Sequence, residues 1–551
     1  MLLLKLHEVN SMTSLAMMKL SSQHRALYCY LILSVWIFLL VAGMYKYIGN
    51  EDPVSAMKRT SNDTPMRSFS KYLKPDIKMR RIFRLCNPPE EITIGSEGQV
   101  HGNYSLEGVF VFLRHGDRGP LSHIRNISNV NCAGDFANPE NFDSDLNFHS
   151  YEYFLQNLSF SSKAPNFLPQ FLGPFHGFPL VPPATGECQL AQLTPVGIAQ
   201  LLKTGKVLRS AYGEKLGTSN GSFASEDIVV YSTRYRRTFQ SVVAFLYSFL
   251  SPESLQRIVL RESQSLAFCF DDCACPAAEK YRRRFQLESA RHFRSHPAVV
   301  KLVGDAAAVV FEMPDKALSS DPHALRDALL AYVCHGAQLP CAEPRAGARE
   351  ACVRPEHVTG LLAYTEWEAR QHARSGSLRR WCLLRAYGLL RDVVSHVLRL
   401  VSERRPRLVV YSGHDKTLQY LATALGLASE ATAAPHYAAR LVLEVYKGRE
   451  QRPTSRRPEG GPAARDFYFR LLFDGLDLTD RVQFCKGSGS ILVKPARKLN
   501  ATHTGNLSAP VLRKMSATYL CPIESIVRFL HDDYFGSFNA TNFKDACATR
   551  S

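Results

Sequence analysis

From about residue 105 onward the chain repeats one pattern: a short β-branched and aromatic run, a polar turn, then a segment with apolar residues at helical spacing. Val109 to Leu113 (VFVFL), Asp227 to Tyr231 (DIVVY) and Arg407 to Tyr411 (RLVVY) read as buried strands. Thr194-Pro195 supplies an N-cap and a proline at the first helical position ahead of VGIAQLLKTGKVLRSAYG. The segments after the second and third runs, STRYRRTFQSVVAFLYSFL and KTLQYLATALGL, are also helical in spacing. Two further β runs, Arg440 to Tyr446 and Phe467 to Phe473, flank a Pro- and Gly-rich basic insert at 447–465. The insert reads as a solvated loop joining two antiparallel strands, with a polyanion-binding patch as the sharper alternative. The stretch 255–400 is mostly helical in tone and predicts a cap, and no internal repeat is visible. The prediction is an α/β sheet flanked by helices, with its ligand crevice at the strand C-terminal ends.

The first hundred residues follow a different pattern. Ala26 to Tyr45 is an uncharged apolar run of twenty residues, long enough to cross a bilayer. A cleaved signal peptide is the competing reading, but the run is longer than usual for one and lacks a clear cleavage site. Residues 1–25 then read as a cytosolic tail, 26–45 as a signal-anchor, 46–95 as a polar stem, and 96–545 as one lumenal domain. Eight N-x-S/T sequons follow the run, at Asn62, Asn103, Asn126, Asn157, Asn220, Asn500, Asn506 and Asn539, together with thirteen of the fourteen cysteines. Both features place that part on the lumenal or extracellular side, which makes the chain a single-pass type II protein. Thirteen is odd, so one cysteine is expected to be free or paired between chains. The sets Cys269, Cys273, Cys275 and Cys334, Cys341, Cys352 have His292, His296 and His335 nearby, but their spacing matches no common zinc framework, and disulfides are expected.

Composition narrows the field without choosing within it. The 551 residues are 45% apolar and carry a formal charge of +17, which fits a folded protein with acidic partners. The compartment makes nucleic acid an unfitting partner and leaves anionic glycans, lipids or phosphate esters.

Three polar segments at strand ends carry candidate chemistry: Arg114-His115-Gly116-Asp117-Arg118-Gly119-Pro120, Ser232 to Thr238, and Ser412-Gly413-His414-Asp415. Taken singly, a histidine after a strand is an ordinary structural residue and an Arg-rich turn a solvated face. Together they offer what phosphoryl transfer needs: an imidazole nucleophile, bidentate guanidinium donors for the phosphoryl oxygens, and a carboxylic acid to protonate a poor alkoxide leaving group.

RHGDRGP resembles the R-H-G-x-R-x-P signature of the histidine acid phosphatases, and the later His414-Asp415 and the S-T-x-x-x-R-T segment agree in order and spacing. The resemblance spans about residues 105–545. It implies a phosphoglycerate-mutase-like sheet and a metal-free, cofactor-free phosphomonoesterase. His115 would be the nucleophile and Asp415 the proton donor, with Arg114, Arg118, Arg237 and His414 on the phosphate. Many members carry Asp where this chain has Arg234, so the outer pocket is expected to differ. Further segments, among them CQLAQLTPVG, FCFDDCACP, YAARLVLEVY and CPIESIVRFL, resemble a Golgi membrane branch of that family. That branch removes the 2-phosphate of xylose in the glycosaminoglycan–protein linkage region. The implied partners are phosphorylated linkage glycans on proteoglycan core proteins, with linkage-region glycosyltransferases and a xylose kinase nearby. An inositol-polyphosphate or broad lumenal acid phosphatase, and an inactive polyanion-binding protein, stay open as alternatives.

Overall fold

The structure is a computed structural model. It describes Val35 and residues 82–548, apart from 101, 133–147, 161–170, 183–187, 218–223, 256, 271–272, 313–316, 343–350, 449–465, 487–489 and 494–517. The apolar run at 26–45 except Val35, nearly all of the basic insert and the sequons at Asn62, Asn220, Asn500 and Asn506 therefore lie outside the described residues. Among the described residues no helix is long and apolar enough to cross a membrane. The chain divides at Phe69/Ser70, and every described residue except Val35 belongs to the second unit.

Among the described residues nine strands form the main sheet: β1 (Tyr104–Arg114), β2 (Ile228–Thr233), β3 (Leu260–Ser263), β4 (Leu408–Gly413), β5 (Arg440–Gly448), β6 (Phe467–Phe473), β7 (Leu476–Asp477), β8 (Ile491–Val493) and β9 (Thr518–Pro522). Their order is β8-β9-β6-β5-β1-β4-β2-β3, with β7 on β6. The pairs β1/β4, β4/β2 and β2/β3 are parallel, whereas β1/β5 and β5/β6 are antiparallel. The last pairing shows the two β runs that flank the insert to be antiparallel neighbours, as read; the insert's own path lies almost wholly outside the described residues.

The central strands read as unbroken apolar runs because both faces are covered. Phe110, Phe112, Val409 and Tyr411 point into one core, and Val109, Val111, Leu408 and Val410 into the other, as the strand period of two requires. Helices α1 (Pro195–Leu216) and α2 (Arg236–Phe249) cover the second face. The Thr194 side chain accepts from the Gly197 N–H and Pro195 opens the helix, as the sequence predicts.

A third core lies within a helical unit built of α3 (Pro276–Arg294), α4 (Pro297–Val310), α5 (Pro322–Cys334) and α6 (Pro355–His372), where Val303, Leu325, Leu329 and Leu361 meet. The predicted cap ran to 400. The next helix, α7 (Gly376–Glu403), instead lays Leu389, Val393, Val397 and Leu400 on the first face of the sheet, beside α8 (Asp415–Ala424).

The stem boundary at 95 also needs correction. Ile82 and Ile92 are buried, Cys86 is bonded to Cys334, and the Glu97 carboxylate accepts from Arg440 Nε and Nη2 at 2.9 and 2.6 Å. The packed body therefore begins by Ile82. Every cysteine of the two sets weighed as metal ligands is in a disulfide: Cys86–Cys334, Cys269–Cys273, Cys275–Cys547 and Cys341–Cys352. With Cys132–Cys188 and Cys485–Cys521 these leave Cys382 free and buried among the described residues, the odd cysteine the count required. Asn103, Asn126 and Asn539 are exposed, as sugar acceptors must be.

Candidate active site

The three polar segments converge where the parallel strands end. β1 delivers Arg114 and the loop from His115, β2 delivers Thr233 to Arg237, and β4 delivers His414 and Asp415 at the start of α8. The β1 loop rests directly on the first turn of α1. A Cβ on Gly116 would lie 2.3 Å from the Gly197 carbonyl oxygen, and one on Gly197 would lie 2.3 Å from that of Asp117, so neither position admits a side chain. Ser241 and Gln200 hold the loop amides, accepting from Gly116 N at 3.1 Å and Asp117 N at 2.7 Å. Thr194 Oγ1 donates to Asp117 Oδ2 at 2.7 Å.

His115 is buried, with its ring centroid 5.5 Å from that of His414. Its Nδ1 is 2.7 Å from the Gly116 carbonyl oxygen, which can only accept, so the proton sits on Nδ1 and the Nε2 lone pair is free. Burial, then the charges of Arg114, His414, Arg237 and Arg118, push its pKa well below the ordinary value. The imidazole is thus neutral and nucleophilic across the acid-to-neutral range.

His414 is oriented by a relay of hydroxyls. Thr238 Oγ1 donates to the Thr233 carbonyl at 2.9 Å, so it accepts from Thr233 Oγ1, which in turn accepts from His414 Nε2, both at 2.9 Å. That relay explains the threonines of the S-T-x-x-x-R-T segment. It leaves His414 Nδ1 facing the site, 3.5 Å from Arg237 Nη2. Burial and Arg237 lower its pKa to about 3, against the pull of Asp415. For Asp415, burial pushes the carboxyl up, but Arg114, Lys416 and the Lys416 N–H outweigh it and hold the group ionised.

The guanidiniums differ in their commitments. Arg114 donates Nη1 to the Pro435 carbonyl and lies 4.2 Å over the Tyr437 ring. Arg237 lies 4.6 Å over Tyr235, and burial, then Arg118, bring its pKa down to about 10. The Nε atoms of both are sealed without a partner. Arg118 is already engaged: Nη2 and Nη1 meet Asp327 Oδ1 and Oδ2 at 2.7 and 3.2 Å, and Nη1 also donates to the Gly119 carbonyl. Asp327 accepts from the Leu121 N–H as well, so α5 is bound to the loop that carries the candidate nucleophile. Arg234 is exposed and pairs with Glu262 at 3.4 Å on the rim.

All six residues singled out from the sequence therefore share one site. Sequence reasoning missed Arg326 and Asp327 on α5 and the Tyr437 shelf under two arginines, and it read His335, whose Nε2 lies 3.1 Å from Asp117 Oδ2, only as a neighbour of the cysteines. Nothing local marks them, since they come from two other parts of the chain.

A family model described as the histidine phosphatase superfamily (branch 2) matches residues 105–301 and 371–474. The chain is 28% identical over 468 residues to 2-phosphoxylose phosphatase 1 of Homo sapiens, covering 84% of this chain and 85% of the relative. With the Danio rerio protein of that name it shares 26% over 489 residues. It also shares 24% over 277 residues with human lysosomal acid phosphatase, covering 46% of this chain and 59% of the relative. Among solved structures, the phytase from D. castellii aligns with 88% of this chain and 92% of its own at 12% identity and a TM-score of 0.40, a remote likeness.

Proposed function

Because the chain belongs to the histidine phosphatase superfamily (branch 2), we propose that it is a phosphomonoesterase that removes the 2-phosphate of xylose in the glycosaminoglycan–protein linkage region. The reading rests on its similarity, over more than four fifths of its length, to five curated proteins named 2-phosphoxylose phosphatase 1. In this reading His115 Nε2 attacks phosphorus and forms a phosphohistidine, while Arg114 and Arg237 hold the phosphoryl oxygens, Arg118 adds its charge from its pair with Asp327, and His414 contacts the phosphate through Nδ1 once that nitrogen takes up a proton. Asp415 protonates the leaving sugar oxygen, then takes a proton from the water that opens the phosphohistidine. The protein works from the Golgi membrane as a type II anchor with this domain in the lumen. The apolar run at 26–45, the exposed sequons and the six disulfides support a lumenal domain in the secretory pathway, and the resemblance supports the Golgi. It shares the compartment with the xylose kinase that makes its substrate and the glycosyltransferases that extend the product.

The test is a comparison of substrates. The protein should release phosphate from a 2-phosphoxylosyl linkage glycan far faster than from inositol hexakisphosphate. The reverse ranking would replace the proposal with an inositol-polyphosphate phosphatase.

A further inference from the structure

Helix α5 brings two adjacent charged residues to the site, and only one has its charge answered. Asp327 is taken up by Arg118 and the Leu121 N–H. Arg326 has no hydrogen bond or ion pair with any described residue, and its Nε is sealed from water without an acceptor. The groups acting on it are those of the site itself: Arg114, the Tyr437 ring that also lies under Arg114 and Arg118, Asp327 and Asp415. A guanidinium held among other cations and partly stripped of water is costly unless an anion joins it.

The charge count says which anion fits. Four guanidiniums, Arg114, Arg118, Arg237 and Arg326, face two carboxylates, Asp327 and Asp415, while Asp117 is turned to Thr194 and His335. With Lys416, which also acts on Asp415, the site carries an excess of positive charge that a phosphate monoester, at roughly −1.5 to −2 near neutral pH, would answer. Arg118 already spends both ends of its fork on Asp327. Three guanidiniums remain open for the three nonbridging oxygens of one phosphoryl group.

We propose that Arg326, contributed by the helical unit, is a phosphoryl-oxygen ligand beside Arg114 and Arg237, and that the Arg118–Asp327 pair holds α5 where Arg326 can reach. This assignment rests on the phosphomonoesterase reading and adds a ligand that neither the signature loop nor the strand ends supply. It also makes the docking of the helical unit a condition for binding phosphate.

The full-length protein with Arg326→Gln and Arg326→Lys tests it. The readouts are competitive inhibition by inorganic phosphate, kcat/KM on p-nitrophenyl phosphate, and Tm with and without phosphate. Arg326→Gln should weaken phosphate inhibition and lower kcat/KM about tenfold or more, with Arg326→Lys in between. Its Tm without phosphate should be equal to or above the unsubstituted protein, since an unanswered charge is removed, and its phosphate-induced rise in Tm should shrink. A merely structural arginine would do the opposite and lower the ligand-free Tm. Unchanged phosphate inhibition in an active Arg326→Gln enzyme overturns the assignment, as does a loss confined to glycosyl substrates. If the unsubstituted protein hydrolyses no phosphate ester, the functional reading fails, and the phosphate-induced Tm shift still reports on Arg326 by itself.

Discussion

In the proposed mechanism Asp415 must carry a proton when the ester bond breaks, yet in the free site it is ionised, because Arg114, Lys416 and the Lys416 N–H outweigh the effect of its burial. His115 is neutral over the same range. Where a phosphate ester titrates, the free enzyme therefore presents a carboxylate and an imidazole, and the missing proton must arrive with the substrate. A phosphate monoester loses its second proton near pH 6, so the monoanion is the form that brings it. On binding, the phosphoryl group occupies the guanidiniums that held Asp415 down, and the proton can pass to the carboxylate. The consequence is a kcat/KM that is flat below about pH 6 and falls about tenfold per pH unit above it, reaching roughly a hundredfold loss at pH 8. Asp415→Asn should then cost about 10²- to 10⁴-fold on a sugar phosphate, whose alkoxide needs a proton. It should cost far less on p-nitrophenyl phosphate, whose phenolate leaves without one. The assay is a pH series of kcat/KM on both substrates with both proteins. A kcat/KM that rises between pH 6 and 8 would mean that an enzyme imidazole titrates there. Equal losses on the two leaving groups would take Asp415 out of the acid's role.

Three further outcomes are expected. Asp327→Ala leaves Arg118, 6% exposed in its side chain, without its partner and should destabilise the fold by about 2–4 kcal/mol in urea titrations, with added phosphate restoring part of the loss. His372 has its pKa lowered from 6.5 to about 4 by burial, partly opposed by Glu368 and reinforced by His323, His292 and Lys416. The unfolded chain takes up that proton first, so the stability it contributes is complete above pH 6.5 and is lost as pH falls towards 4, about 3 kcal/mol in all; His372→Phe should flatten Tm against pH over that interval. Cys86–Cys334 closes a loop of 248 residues between the segment before β1 and the end of α5, so Cys86→Ser with Cys334→Ser should lower stability by about 2–5 kcal/mol, read as a loss of Tm under non-reducing conditions.

What the sequence disclosed follows from how each feature is encoded. The runs at 109–113, 227–231 and 407–411 were legible because those strands are buried on both faces and admit little but apolar residues. β1 begins earlier than its apolar run, since Tyr104 and Ser105 pair by backbone with Gly448 and Lys447, and backbone pairing leaves no hydrophobic signature. The helical stretch to 400 looked uniform because α6 and α7 are both amphipathic; which core each serves is decided by contacts far away in sequence. Residues 82–95 looked like stem because their packing comes from Cys334 and from the sheet. The signature loop announced Arg118 as a phosphate ligand, but an aspartate 209 positions later holds its fork. On α5, Arg326 and Asp327 have the appearance of a solvated helix face, and only the fold places them beside the loop that carries His115.

The central claim is that phosphorus passes through His115. Rapid quenching of the full-length protein during turnover of a labelled phosphate ester, followed by peptide mapping in alkali, tests it most directly. The account predicts one acid-labile, alkali-stable phosphoryl group on the peptide carrying His115, lost together with hydrolysis in His115→Ala. Label on another residue, or an His115→Ala protein that turns over at the unsubstituted rate, would contradict it.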